Sequence, residues 1–528
     1  MTWIHPLSPE AVEGGEGGEG GEGAAVLGGK AYGLIVLRRL GLPVPPGFVI
    51  GTGACRAFLR DGRLPDGLGA ELAAALSELE AATGRRLGGA ERPLAVSVRS
   101  GGSVSMPGMM STILNLGLTA EAAEGLAAET GDPRFALDSR LRFLSGFAAT
   151  VLGVDPAARG AAGIHEIEAL IRERASQAVL DDPARQLELA VEAVLASWDT
   201  PRARTYRELH DIPHDLGTAV TVQAMVFGNR GDHSGSGVAF SRDPNTGERV
   251  PYGEVLFGRQ GEDVVSGRSI TRPLSELAGR EPAVWAALLA ALARVEGHYR
   301  DACHVEFTFE AGRLWLLQVR PGGLAGRAAV RVAVDLADEG VIDRREALHR
   351  VSPRRLDQVR TPRIDPSGGL DLLTRGVGAC PGVATGRVAT TADTAARMAA
   401  DGPVILVRPE TSPLDLHGLA AAAGVVTARG GPTSHAAVVA RSMGKPAVVG
   451  AADLEVDVAA ARVRAGGRAI PEGTLVTIDG TGGEVAVGSP RIVTAASDPH
   501  LDRLLEWADA VSGDHSPRSA AERLERGR

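Results

Sequence analysis

Residues 428–450, ARGGPTSHAAVVARSMGKPAVVG, hold the pattern from which the rest of the chain can be read. A strand ends in Arg429, Gly430 and Gly431, and Thr433 or Ser434 is placed to cap a helix running from about His435 to Met443. His435 therefore stands at a helix N-terminus, where free backbone N–H groups and the positive end of the helix dipole favour an anion. Its neutral imidazole is available near pH 7 and is a competent nucleophile. Taken alone, the same residues also suit a plain capping turn with an incidental histidine.

Outward from this stretch, β-like runs at 386–390, 404–407, 424–427, 447–449 and 475–479 alternate with Ala-rich helical segments. This alternation predicts an α/β domain over 374–488. Residues 328–373 read as a helical linker with a Pro-containing hinge at 361–367, and 489–528 as a tail, helical at 501–510.

Residues 24–327 read as α+β. A glycine turn leads into a helix at 31–40 and a strand at 48–50, and helices follow at 67–83, 121–130 and 166–197. Strands are predicted at 94–98, 219–226, 237–240, 304–309 and 314–318, the last two as a hairpin. The first 23 residues are set apart as a flexible Gly/Glu-rich segment, with GGEGGEGGEG at 14–23.

Composition narrows the function classes. A chain of 528 residues with 44% hydrophobic and 23% charged residues is a multidomain globular protein. Its net charge of −9 argues against general nucleic-acid binding, which needs a basic surface. Neither a basic leader followed by an apolar run nor a run of membrane-spanning length is visible, and Cys55, Cys303 and Cys380 show no metal spacing. The expectation is a cytoplasmic protein with reduced thiols. Of 56 Lys and Arg residues, only Lys30 and Lys445 are lysine. Lys30 cannot belong to a Walker A loop, because Ala24 and Ala31 stand where its first Gly and its Ser/Thr should be.

The segment TARGGPTSHAAVVARSMGKPAVVG resembles the phosphohistidine signature of the pyruvate phosphate dikinase family, which includes phosphoenolpyruvate synthase and rifampin phosphotransferase. VILVRPETSPLDLHGLAAAAGVVTARGG and IPEGTLVTIDGTGGEV extend the likeness to that family's swivelling domain. LGGKAYGLIVLRRLGLPVPPGFVI and VSVRSGGSVSMPGMMSTILNLG are similar to its ATP-grasp domain, placed here at 24–327. The resemblance implies that His435 carries the phosphoryl group, flanked by Thr433 and Ser434, and that Lys30 and Arg99 act on the nucleotide phosphates. It further assigns Glu262, Asp263, Glu306, Gln318 and Arg320 to the nucleotide, with Glu306 and Gln318 holding Mg²⁺. The substrates would be ATP and inorganic phosphate. The β-phosphoryl would pass to His435 and the γ-phosphoryl to phosphate, leaving AMP and pyrophosphate.

Three departures qualify these expectations. His304 occupies the position of a family Asp, and Leu141 and Arg142, with Arg140, replace a paired-arginine motif. A pyruvate-binding (β/α)₈ barrel needs roughly 200 residues, whereas about 40 follow Ser489. The expectation is a charging half whose acceptor is bound by a separate phosphoenolpyruvate- or pyruvate-binding protein, with a homodimer among the assemblies the likeness allows. The competing reading is a nucleotide-binding regulatory paralogue without catalysis.

Overall fold

Gly28 has φ 74° and ψ 153°, a conformation closed to other residues, and it kinks the helical segment Glu22–Arg39. A Cβ at Gly28 would lie 1.7 Å from the Gly101 carbonyl oxygen, so the glycine is required by close backbone approach as well as by φ. The kink separates a first turn from the helix that carries Lys30. The computed structural model describes all residues except 1, 12–21, 105, 107, 108, 266–268, 270, 323, 325, 354, 355, 357, 358, 360, 366–368 and 495–497. Most of the Gly/Glu repeat lies outside the described residues.

The chain forms two units, Met1–Ser234 with Thr308–Val319, and Gly235–Phe307 with Arg320–Arg528. This division falls inside the stretch 24–327 that the sequence suggests as one domain.

The first unit is built on an antiparallel sheet ordered Ile4–Pro6, Gly47–Ile50, Ala219–Ala224, Val96–Gly101 and Thr112–Leu116. Its central strands are buried along nearly their whole length, as in a sheet covered on both faces, although Ser97, Arg99, Ser100, Thr221 and Gln223 are polar. The helix expected at 166–197 is broken into Ile164–Arg174, Gln177–Asp181 and Pro183–Ala196. Pro183 has no N–H to continue the ladder, and the Asp182 carboxylate accepts from Arg185 N at 2.9 Å to start a new helix.

In the second unit, strands Arg272–Pro273, Tyr252–Phe257, Gly235–Phe240 and Cys303–Glu310 are successive neighbours in one sheet. Arg313–Pro321 follows Cys303–Glu310 as the other arm of the predicted hairpin. A second sheet of eight strands contains the parallel core Val383–Ala389, Val404–Arg408, Gly424–Thr427 and Ala447–Val449. Helices on the crossovers include His435–Met443, so the α/β alternation is present with a parallel sheet. A small three-stranded sheet, Glu455–Asp457, Arg462–Ala465 and Arg468–Pro471, has no counterpart among the strands expected from sequence.

The helices Gly326–Asp338 and Arg344–Arg350 share one apolar core with Pro499–Ser512 and Ala520–Gly527, through residues such as Val334, Leu348, Leu504, Trp507 and Leu524. Beside it, the fully buried Arg242 pairs with Glu296 at 2.8 Å and Glu339 at 3.0 Å. This joins helix Pro282–Tyr299 to the residue that follows helix Gly326–Asp338. Among the described residues no helix is long and apolar enough to cross a membrane. All three cysteines are free and buried, and burial raises the Cys55 and Cys380 thiols to about 11, so they are not poised thiolates.

Candidate functional site

Lys30 lies two residues past the Gly28 kink, where the N–H of Gly29 donates to the Gly102 carbonyl at 3.0 Å. The end of strand Val96–Gly101 passes under the lysine stem, for a Cβ at Gly101 would sit 3.3 Å from Lys30 Cβ. Arg99 occupies the same strand and donates through Nη2 to Gln223 Oε1 at 2.9 Å and to the Leu317 carbonyl at 3.1 Å. Gln318, next in sequence to Leu317, is buried. Fold and sequence thus gather Lys30, Arg99 and Gln318 in the first unit. Arg140 and Arg142 engage carboxylates on the protein itself, Glu168 at 2.5 Å and Asp138 at 2.9 Å.

In the second unit, Glu306 and His304 share strand Cys303–Glu310. His304 stacks on Phe240 with centroids 5.0 Å apart and planes inclined by 21°. Burial, followed by the guanidinium of Arg320, lowers its pKa to about 4 against the opposing charge of Glu306, with Arg441 adding to the lowering. A neutral ring at pH 7 therefore takes the place of the expected carboxylate. Glu262 is exposed and Asp263 partly buried on the short helix Gly261–Val265. Among the described residues, no group of three or more His, Cys, Asp or Glu side chains forms a metal cage.

His435 opens helix His435–Met443, as the sequence predicts. Its Nδ1 is 3.1 Å from the Thr411 hydroxyl, while Nε2 is buried and has no hydrogen-bond partner among the described residues. Burial depresses the imidazole to about pKa 4, with Asp415 acting in the opposite sense, so the ring is neutral at pH 7. The side-chain cap expected from Thr433 or Ser434 is not made. Ser434 has the extended N-cap backbone, φ −63° and ψ 161°, but its hydroxyl caps nothing. The Thr433 hydroxyl and N–H instead donate to Glu254, the N–H at 3.0 Å. The helix start is thus left without a side-chain oxygen over its first N–H groups.

Thr411 and Glu254 were not singled out by sequence reasoning. Thr411 lies in RPETSPLDLHG and Glu254 in YGEVLFG, segments that carry the family likeness, but nothing local assigns them a partner. Lys445 has a different task from Lys30. Its ammonium donates to the carbonyls of Leu419 at 3.1 Å, Ala420, and Ala422 at 2.6 Å, closing the end of helix Leu416–Ala421.

The helix kinked at Gly28, which carries Lys30, and the neutral histidine at an uncapped helix start in an α/β domain are the two candidate centres of the chain. Residues 60–272 match the pyruvate phosphate dikinase AMP/ATP-binding domain, and residues 400–483 match the mobile domain of PEP-utilising enzymes. The chain belongs to the pyruvate phosphate dikinase family. It is 42% identical to pyruvate, phosphate dikinase of Rhizobium meliloti (strain 1021), over 92% of this chain and 58% of that protein. It is 42% identical to chloroplastic pyruvate, phosphate dikinase 1 of Arabidopsis thaliana, over 92% of this chain and 53% of the relative. With pyruvate, phosphate dikinase 2 of Zea mays the identity is 43%, over 92% and 58%. The chain therefore spans little more than half the length of these relatives.

Proposed function

We propose that residues 1–528 perform the charging half of a dikinase-type phosphoryl transfer, in which ATP phosphorylates Nε2 of His435 for delivery to an acceptor bound outside these residues. The observation that carries this reading is the state of His435: neutral, held at Nδ1 by Thr411, and with no hydrogen-bond partner at Nε2 among the described residues. With the proton on Nδ1 and directed at the Thr411 oxygen, the Nε2 lone pair is the nucleophile. A bond forms from Nε2 to the β-phosphorus as its bond to the oxygen retained by AMP breaks. An oxygen of inorganic phosphate then bonds to the γ-phosphorus as its bond to the β–γ bridging oxygen breaks, so pyrophosphate leaves and the β-phosphoryl, with that oxygen, stays on Nε2.

Lys30 and Arg99 are proposed to hold the nucleotide phosphates, and Glu262, Asp263 and Arg320 to contribute to the nucleotide site. Positioning and charge neutralisation account for most of such a catalyst's effect. Glu306 and Gln318 supply a carboxylate and a carboxamide oxygen. Each is an oxygen donor of the kind that suits Mg²⁺, an ion that takes its remaining ligands from phosphate and water. When bound, the ion would neutralise phosphate charge.

The decisive experiment is incubation with Mg²⁺ and ATP labelled at the β or γ position. Acid-labile label on His435 from the β position, absent in His435→Ala, supports the proposal. Nucleotide binding without label would favour the non-transferring reading, for which His304 is the one specific observation. Omission of phosphate separates dikinase stoichiometry from a route that releases phosphate through water.

A further inference from the structure

Arg207, on helix Pro201–Leu209, has no exposed surface. Burying a cation is costly unless it is paired. Asp199, the carboxylate that acts on it most strongly, is itself held by Arg204, whose Nε donates at 2.8 Å. Arg207 is spent instead on two residues. Its Nη1 donates to the Trp198 carbonyl at 2.6 Å and its Nε to Nδ1 of His214 at 3.1 Å, while its guanidinium carbon lies 4.3 Å from the centre of the Trp198 ring. The Trp198 indole N–H donates in turn to the His214 carbonyl at 2.8 Å, so the three residues close on one another.

The turn that carries Trp198 bears both flanks of the segment 101–111. A Cβ at Gly102 would lie 3.6 Å from the Trp198 ring. At the other flank the Ser111 N–H donates to the Ser197 hydroxyl at 3.2 Å, and Arg202 Nε donates to the Met109 carbonyl at 3.2 Å. Gly102 is the residue whose carbonyl receives the N–H of Gly29, next to Lys30. We propose that Arg207 is a positioning residue for the triphosphate of the nucleotide: by bracing Trp198 and His214 it sets residues 101–102 and 109–111 at a fixed height against the helix start that carries Lys30. The assignment rests on the proposed nucleotide role of Lys30. A guanidinium suits the task because its flat face stacks on the indole while two of its edges donate, which a lysine cannot reproduce.

The test uses the full chain, calorimetric titration with Mg²⁺–ATP and separately with AMP, and hydrogen exchange of the peptide spanning 109–116. Arg207→Met is expected to weaken ATP about tenfold and AMP less than about twofold, because the braced segment serves the phosphates beyond the first. Exchange of the peptide should accelerate. Should Arg207→Met fail to fold, the exposed His214 offers a milder change. His214→Ala removes only the acceptor of Arg207 Nε and should weaken ATP about threefold. His214→Asn, whose Oδ1 stands where Nδ1 does, should restore wild-type ATP affinity and exchange. Wild-type ATP affinity in His214→Ala, or equal losses for ATP and AMP in either variant, overturns the positioning role. Failure of His214→Asn to recover what His214→Ala loses does so as well. Lys30→Met that binds ATP normally would refute the nucleotide reading of Lys30, while faster exchange in His214→Ala would leave the brace itself demonstrated.

Discussion

The Nδ1 atom of His435 and the hydroxyl of Thr411 lie 3.1 Å apart although 24 residues separate them in sequence. Strands Val404–Arg408 and Gly424–Thr427 run parallel and adjacent, so the segments after their C-terminal ends emerge at the same edge of the sheet, one carrying Thr411 and the other His435. In the proposed reaction the ring proton sits on Nδ1 and the Thr411 oxygen accepts it, which leaves the Nε2 lone pair free.

Thr411→Val should therefore impair labelling of His435 more than nucleotide binding. Loss of one hydrogen bond to the ring is worth about 1 kcal/mol, or roughly a fivefold to tenfold change in rate. Single-turnover labelling measures it. Thr411→Ser should recover most of the rate, because it retains the hydroxyl.

Acidity should reach the nucleophile late. With its folded pKa pushed down to about 4 by burial, His435 stays neutral across the interval in which an exposed histidine becomes charged. The unfolded chain binds the extra proton near pH 6.5 and the folded chain only near 4, so stability contributed by neutral His435 is full above 6.5 and declines as pH falls towards 4. Denaturant midpoints for wild type and His435→Gln between pH 4 and 8 should converge as the pH is lowered. NMR titration of the ring should show no midpoint near 6.5.

Replacing His304 by Asp restores the carboxylate the family pattern calls for. The expected outcome is tighter Mg²⁺-dependent nucleotide binding, by about threefold to tenfold, since the new charge stands beside the Glu306 carboxylate where a divalent ion is attracted. Loss of the ring stacked on Phe240 costs roughly 0.5–1.5 kcal/mol of stability. Titration calorimetry with and without Mg²⁺ separates the two effects, and unchanged Mg²⁺ dependence would count against Glu306 as a ligand.

Arg242 is buried among Glu296, Glu339 and Asp335. Arg242→Met leaves those carboxylates without their shared cation and should destabilise the second unit by about 3–5 kcal/mol. Urea unfolding monitored at Trp507, in the adjoining helical core, would report it.

For Lys445→Met, three carbonyls at the end of helix Leu416–Ala421 lose their donor. A destabilisation of about 2–4 kcal/mol is expected, near the cost of one or two buried unsatisfied acceptors. Lys445→Arg should recover part of it. Thermal unfolding of the three proteins ranks them.

Much of this architecture was legible because its signals are local. The parallel core strands and helix His435–Met443 follow from alternation of apolar runs and glycine turns, and strands Gly424–Thr427, Ala447–Val449 and Leu475–Asp479 have the expected bounds. The break at Asp182–Pro183 was also written in the sequence, as a capping residue before a proline, but the Ala-rich periodicity on either side obscured it. What could not be read are contacts made across long separations. Thr433 or Ser434 was expected to cap the helix, a local choice, whereas a buried carboxylate 179 residues away takes the donors of Thr433 and the Ser434 hydroxyl caps nothing. The apolar faces of helices Gly326–Asp338 and Pro499–Ser512 likewise gave no sign of being each other's partner, because amphipathicity fixes which side is buried and leaves the neighbour undefined.

The two lysines show how a skewed composition can act as a substitution experiment. Arginine supplies all the other positive charge among 56 Lys and Arg residues, yet at 445 three carbonyl oxygens converge on one nitrogen. A tetrahedral ammonium can point three donors around a cone, while a flat guanidinium spreads its donors in one plane. Position 445 therefore resists the exchange by shape, independently of charge, and a replacement that preserves the charge alone is not conservative there.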